Sequence, residues 1–198
     1  MIEKRSLMQA PELRSDGGKR TLAGYAAIFQ SEADIGASFR EMVMPGAFTE
    51  TLKKHDARAL FDHDSGRLLG RKSNGTLRLK EDERGLAVEI DLPDTSDGRD
   101  IAELVSRGDL DGMSFGFVVT HDEWDETKTP AVRRIHAVDL HEVSAVTFPA
   151  YVDTTLALRS RSDPEAERQT ADHNRQQAAA RIAARKAESE SKFRRIGG

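Results

Sequence analysis

Residues 1–158 predict a mainly β fold flanked by helices, an α+β arrangement whose strands close or nearly close into a barrel. Two observations carry that expectation. Apolar and polar residues alternate in Leu77/Leu79, in Leu86/Val88/Ile90/Leu92 and in Phe115/Phe117/Val119, the period-2 signature of half-buried strands. Helical periodicity, by contrast, is confined to two stretches spliced between those strands.

In chain order, residues 21–29 read as a strand. Residues 46–54 read as a helix after Pro45, with Phe48 and Leu52 one turn apart on a common face. Residues 57–61 form an apolar strand that leads into Asp62-His63-Asp64. Ser96–Arg107 reads as the second helix, with Ser96 or Asp97 as N-cap, an apolar stripe of Ile101, Leu104 and Val105, and Gly108 as C-cap. Residues 132–148 form a long last strand through Ile135, Val138, Leu140, Val143 and Val146, and His121 opens an acidic turn before it.

After Leu158 the composition changes. Residues 159–198 carry 10 Lys+Arg against 6 Asp+Glu, whereas residues 1–158 carry 20 against 28. An acidic body at −8 and a basic tail at +4 point to two parts, a domain over 1–158 and a helical or disordered tail over 159–198. Ile182, Phe193 and Ile196 are almost the only large apolar groups in the tail, too few for a coiled-coil seam.

Composition also excludes several classes. A formal net charge of −4 advertises neither a nucleic-acid nor a membrane partner. The chain has no cysteine, which rules out disulfides, thiolate metal sites and a cysteine nucleophile, and fits a reducing cytoplasm. The charged N-terminus is not a signal peptide, and no run approaches the roughly 18 apolar residues of a membrane span.

Ser114 is the most informative residue. It lies in Gly112-Met113-Ser114-Phe115-Gly116-Phe117, where burying a hydroxyl without a partner costs about 1–3 kcal/mol. The stretch matches the G-x-S-x-G nucleophile elbow, but an elbow needs a strand before the serine and a helix after it. Here a helix precedes and strand-like sequence follows, so the elbow fails on context. A serine nucleophile in another geometry still needs a base. Six histidines are available, and His63 has the most rigid mount, at the end of an apolar strand. Glu142, before the apolar run Val143-Ser144-Ala145-Val146, is a candidate to orient an imidazole. The residues alone leave open a serine hydrolase, a non-catalytic β domain, or a metal hydrolase built on Asp62-His63-Asp64.

Four motifs occur in order: Phe39-Arg40-Glu41-Met42-Val43-Met44-Pro45-Gly46-Ala47-Phe48, His63-Asp64, Gly112-Met113-Ser114-Phe115-Gly116-Phe117, and Glu142-Val143-Ser144-Ala145-Val146-Thr147-Phe148-Pro149-Ala150-Tyr151. Over residues 20–158 the set resembles the prohead serine proteases of tailed bacteriophages, which are related in fold to the herpesvirus assemblins. The resemblance implies a herpesvirus-protease-like β-barrel, with Ser114 as nucleophile and His63 as general base. For the third member it implies a carboxylate about two dozen residues beyond the serine, which suits Glu142 and also Asp139, or a second histidine, for which His141 is placed. Glu142 is preferred because it opens the Glu-Val-Ser motif. The arginine that herpesvirus enzymes use for the oxyanion has no counterpart between Glu142 and Leu158, which leaves backbone N–H groups.

The same resemblance implies an endopeptidase without cofactor or metal, acting in the host bacterial cytoplasm inside the assembling prohead. Its substrates would be the scaffold protein or a scaffold-like extension of the major capsid protein. It would also act on itself, as a homodimer, and the basic tail would dock on acidic scaffold. The alternative is a catalytically inactive internal capsid component of the same fold.

Overall fold

The computed structural model describes residues 2–36 and 38–147. Eleven strands and two α-helices occur among them: β1 Glu3–Leu7, β2 Glu12–Asp16, β3 Lys19–Ile28, β4 Ala33–Ile35, β5 Phe39–Val43, α1 Thr49–Lys54, β6 Arg58–Phe61, β7 Asp64–Arg71, β8 Leu77–Glu81, β9 Gly85–Asp91, α2 Ser96–Arg107, β10 Gly112–Asp125 and β11 Ala131–Val146. The mainly β reading with two helices is what the chain adopts. The expected tail over 159–198 lies outside the described residues.

The strands form two sheets rather than the single closed barrel that the alternation suggested. One has seven strands in the order β1-β10-β11-β5-β4, with β6 added beside β11 and β7 beside β6; the other runs β2-β3-β9-β8. The long β11 explains the first sheet. Residues 131–135 pair parallel with β5 on one stretch, and residues 142–145 pair parallel with β6 further along, while β10 runs antiparallel beside both. A lone parallel bridge between Phe29 and Val43 joins the end of β3 to β5 and so links the two sheets.

Alternation fills the space between the sheets. Leu22 and Ala26 of β3, Leu86, Val88 and Ile90 of β9, Met113, Phe115 and Phe117 of β10, and Leu140, Val143 and Ala145 of β11 belong to one buried cluster. Phe48 stacks on Phe29 and sets its edge to Phe115, closing one end of that cluster.

The helices differ from expectation at their starts. α1 begins at Thr49, because Pro45, Gly46 and Ala47 form turns and Phe48 stands at the N-cap. The N-cap of α2 is Thr95, whose hydroxyl accepts from the Gly98 N–H, and neither Ser96 nor Asp97 fills that place. Gly108 closes α2 at φ +76°, as the left-handed C-cap requires. His121 and the acids after it continue β10 to Asp125, since the pairing with β11 absorbs them through register shifts near His121.

One ion pair fastens the open end of the β6–β7 hairpin. Arg71 Nε donates to Asp56 Oδ2 at 2.6 Å, and the Ser73 N–H donates to Asp56 Oδ1 at 2.9 Å. The Arg71 guanidinium and the Ser73 N–H hold the Asp56 carboxyl down to about 2 from 3.8. A depressed carboxyl contributes stability above its unfolded pKa, and that contribution is lost as pH falls through the folded value. Urea midpoints of the wild type and Asp56→Asn should therefore differ most above pH 5 and converge between pH 4 and pH 2, in steps of about one pH unit. A constant gap across that window would show that the pair acts by packing alone.

Candidate active site

Strand alternation creates the site. Because Met113, Phe115 and Phe117 face the core, Gly112, Ser114 and Gly116 lie on the opposite face of β10. The register sets Ser144 of β11 opposite Ser114 and Glu142 opposite Gly116. On the other side of β10, Ser6 of β1 stands opposite Ser114. Ser6, Ser114 and Ser144 therefore form a row across three strands, with the Glu142 carboxylate over Gly116.

Gly116 makes room for that carboxylate. A Cβ built there would lie 3.0 Å from Glu142 Cδ and would overlap Oε1 outright. The second glycine of the G-x-S-x-G match thus has a steric role unrelated to an elbow.

His63 reaches this face from the two-residue turn between β6 and β7. Asp62 and His63 sit at φ +48° and +59°, left-handed at both positions as a type I′ hairpin demands. Neither is glycine, so the conformation must be held from outside. Asp62 does the holding: its N–H donates to the Ala145 carbonyl at 2.9 Å, and its two carboxylate oxygens accept from the Thr147 N–H at 2.8 Å and the Thr147 hydroxyl at 2.7 Å. The hairpin tip is thereby tied to the end of β11.

From this tip His63 Nδ1 lies 2.6 Å from Glu142 Oε1, with both side chains 12% exposed. Ser144 Oγ donates to the other oxygen, Oε2, at 2.6 Å. A carboxylate oxygen only accepts, so Nδ1 is the ring nitrogen that donates, and in the neutral imidazole Nε2 carries the lone pair. Nε2 is buried and has no hydrogen-bond partner among the described residues. Such an orphan costs about 1–3 kcal/mol and calls for a functional explanation.

Ser114 is fully buried. Its hydroxyl donates to the Arg5 carbonyl at 2.8 Å and accepts from Ser6 Oγ at 3.0 Å. No hydrogen bond joins it to His63 among the described residues.

The structure thus brings two of the sequence candidates, His63 and Glu142, into direct contact and sets Ser114 in the same sheet, engaged by β1. The alternatives to Glu142 lie elsewhere: Asp139 faces His55 Nε2 at 3.4 Å, and the His141 ring packs edge-on against His55. His121 and His136 lie side by side, with His136 paired to Glu123 at 3.5 Å. His173 is outside the described residues. Of the possible metal triplet, Asp62 serves Thr147, His63 serves Glu142, and Asp64 caps the Gly66 N–H at 2.8 Å. The side chains have separate partners and converge on no common point.

Sequence reasoning missed Ser144 as the second anchor of Glu142, although the Glu-x-Ser spacing, two residues apart on a strand, was the available signal. It also missed β1, whose charged sequence carries little periodicity.

Over 152 residues the chain is 31% identical to the prohead protease of Enterobacteria phage HK97, a match that covers 75% of this chain and 64% of that protein. The chain therefore spans just under two-thirds of the length of this relative. Its fold is similar to that of the bacteriophage T4 capsid assembly protease, with a TM-score of 0.52 at 10% identity, covering 75% of this chain and 98% of the other. Residues 7–169, a stretch that contains the His63–Glu142 pair and Ser114, match the caudovirus prohead serine protease model, and the chain belongs to that family.

Proposed function

We propose that the chain is a serine endopeptidase of phage capsid maturation, in which Ser114 is the nucleophile, His63 the general base and Glu142 the carboxylate that orients it. One observation carries this reading: a buried imidazole held through Nδ1 by an anchored carboxylate while Nε2 stays unpartnered. That is the state a general base must be in before it takes a proton.

In the reaction, Nε2 of His63 takes the hydroxyl proton of Ser114 as Oγ attacks a peptide carbonyl carbon. The imidazolium that forms is stabilised by Glu142, whose own position is fixed by Ser144 and by the space above Gly116. His63 then returns the proton to the leaving amine, and water releases the acyl group by the same route reversed. Proton transfer of this kind contributes typically about 10²–10⁴-fold. The side chains supply this chemistry without a cofactor.

Family membership and the relatives, a prohead protease and a capsid assembly protease, support a role in capsid maturation. The substrates in this reading are scaffold protein or a scaffold-like extension of the capsid protein, and the chain itself, within the immature capsid. A second reading, a catalytically silent capsid component, draws on the covered state of Ser114. Fluorophosphonate labelling with peptide mapping separates the two, since a silent component leaves Ser114 unmodified even in assembled particles.

Ser114→Ala and His63→Ala should each lower cleavage by at least about 10⁴-fold with far-UV circular dichroism unchanged. The readout is mass analysis of fragments after co-expression with capsid and scaffold proteins; normal processing by either variant would end the assignment. Gly116→Ala should displace the Glu142 carboxylate and cost about 10²-fold in kcat with little change in KM. Ser144→Ala frees one carboxylate oxygen without adding bulk, so its loss should appear in the same parameter and be smaller. Equal losses in kcat and gains in KM would place these residues in substrate binding.

A further inference from the structure

We propose that the outer edge of β10, from Met113 to Phe117, is a docking edge for an extended peptide of acidic-x-basic pattern, and that β1 occupies it as a displaceable surrogate covering Ser114. This deepens the protease reading and rests on it for the importance of Ser114, but not for the docking itself.

β1 is placed as a peptide in a β-augmentation complex would be. It is the last strand in its sheet, antiparallel to β10, with Glu3 opposite Phe117 and Leu7 opposite Met113. Its backbone does more than pair. The Ser114 hydroxyl donates to the Arg5 carbonyl at 2.8 Å, and Ser6 Oγ donates to the same hydroxyl at 3.0 Å. While β1 is in place, the hydroxyl hydrogen is directed at β1 and not at His63.

β1 is also weakly invested in the core. Arg5 is its one buried side chain, and the residues on either flank, Ile2 and Met8, are 47% and 66% exposed. Next to it lies a cavity of about 300 Å³, lined by Arg5, Leu7, Met8, Ile35, Met42 and Phe115 among others. The family match begins at residue 7, the last residue of β1.

Charge is what holds it. Arg5 Nε donates to Glu41 Oε1 at 2.6 Å, and Arg133 Nη1 donates to Glu3 Oε2 at 3.0 Å. Neither body charge is left alone when β1 leaves, because Arg133 also bonds Glu41 Oε2 at 3.1 Å and Asp122 at 2.6 Å, although Glu41 Oε1 loses the Arg5 donor. Departure of β1 takes one acid, Glu3, and one base, Arg5, out of the buried cluster together and leaves Glu41 and Arg133 paired, so the usual penalty for breaking a buried pair is reduced. The vacated edge would then present Arg133 to an acidic side chain and Glu41 to a basic one two residues on, with the Phe117 ring beside the cation, as it is beside Arg5 at 5.5 Å.

Because the chain has no cysteine, Ser114→Cys gives it a single thiol whose reaction with a maleimide reads exposure at position 114. In the full chain with native β1 that thiol should react slowly. Adding Glu3→Ala and Arg5→Ala should speed it by at least about tenfold. A synthetic peptide of residues 2–9 should then slow it again, and a scrambled peptide should not. Equal rates with and without the two alanines, or no protection by the peptide, would overturn the proposal. Should the alanine variant lose its fold by circular dichroism, the decisive reading is the Ser114→Cys chain in urea. Its thiol rate should climb well below the unfolding transition, and a rate flat up to that transition would overturn the idea equally. A thiol reports exposure whether or not Ser114 is a nucleophile, so this test and the fluorophosphonate test can fail independently.

Discussion

Everything at the site depends on the register between β10 and β11. The pairing of Ser114 with Ser144 and Gly116 with Glu142 decides which residues share a face, and strand alternation does the rest. A slip of one residue would turn Met113, Phe115 and Phe117 out of the apolar cluster and set the small polar residues against it in their place. The hydrophobic cluster therefore enforces the site: the aromatics cannot leave the interior without losing about 1.5–3 kcal/mol each in burial. Position 114 has a small polar residue because its neighbours on both sides are core.

The imidazole depends on a second constraint of a different kind. The Asp62-His63 turn has positive φ at two non-glycine residues, a conformation with a local cost that only outside contacts can offset. Three hydrogen bonds from Asp62 to Ala145 and Thr147 supply them, at the end of the same strand that carries Glu142 and Ser144. His63, Glu142 and Ser144 are thus all referred to β11. Precision here comes from the rigidity of one long strand, paired on both sides, more than from the hairpin tip.

The sequence made the strands of the core legible because each must alternate to bury one face: β8, β9 and β10 declare themselves in Leu77/Leu79, Leu86/Val88/Ile90 and Phe115/Phe117. Two sheets instead of one barrel were not legible, since alternation says which face is buried and nothing about which edges meet. The N-cap of α2, expected at Ser96 or Asp97, falls one or two residues earlier because Thr95, Ser96 and Asp97 are all capable caps, and only the hydroxyl contact to Gly98 distinguishes them. His63 and Glu142 could be named from motif resemblance, but their contact is geometric and not legible: the fold sets Glu142 beside His63, and Asp139 and His141 beside His55. β1 escaped because Glu3-Lys4-Arg5-Ser6 reads as solvated charge, and its order is bought by partners up to 130 residues away.

Those partners also explain why buried charge is placed where it is. Arg5, Glu41 and Arg133 are each at most 8% exposed, an arrangement that apolar residues of similar volume could match or exceed in stability. What apolar residues could not provide is a strand that binds in register yet can leave without exposing a greasy edge. Directional hydrogen bonds from Arg5 and Arg133 fix Ser6 opposite Ser114, since a slip of two residues would set Arg5 away from Glu41. The redundancy between Glu41 and Arg133 then keeps the body balanced when the strand is gone. An ionic latch of this design trades stability for register and reversibility, and both suit a buried serine that the proposed chemistry requires to be covered at one time and open at another.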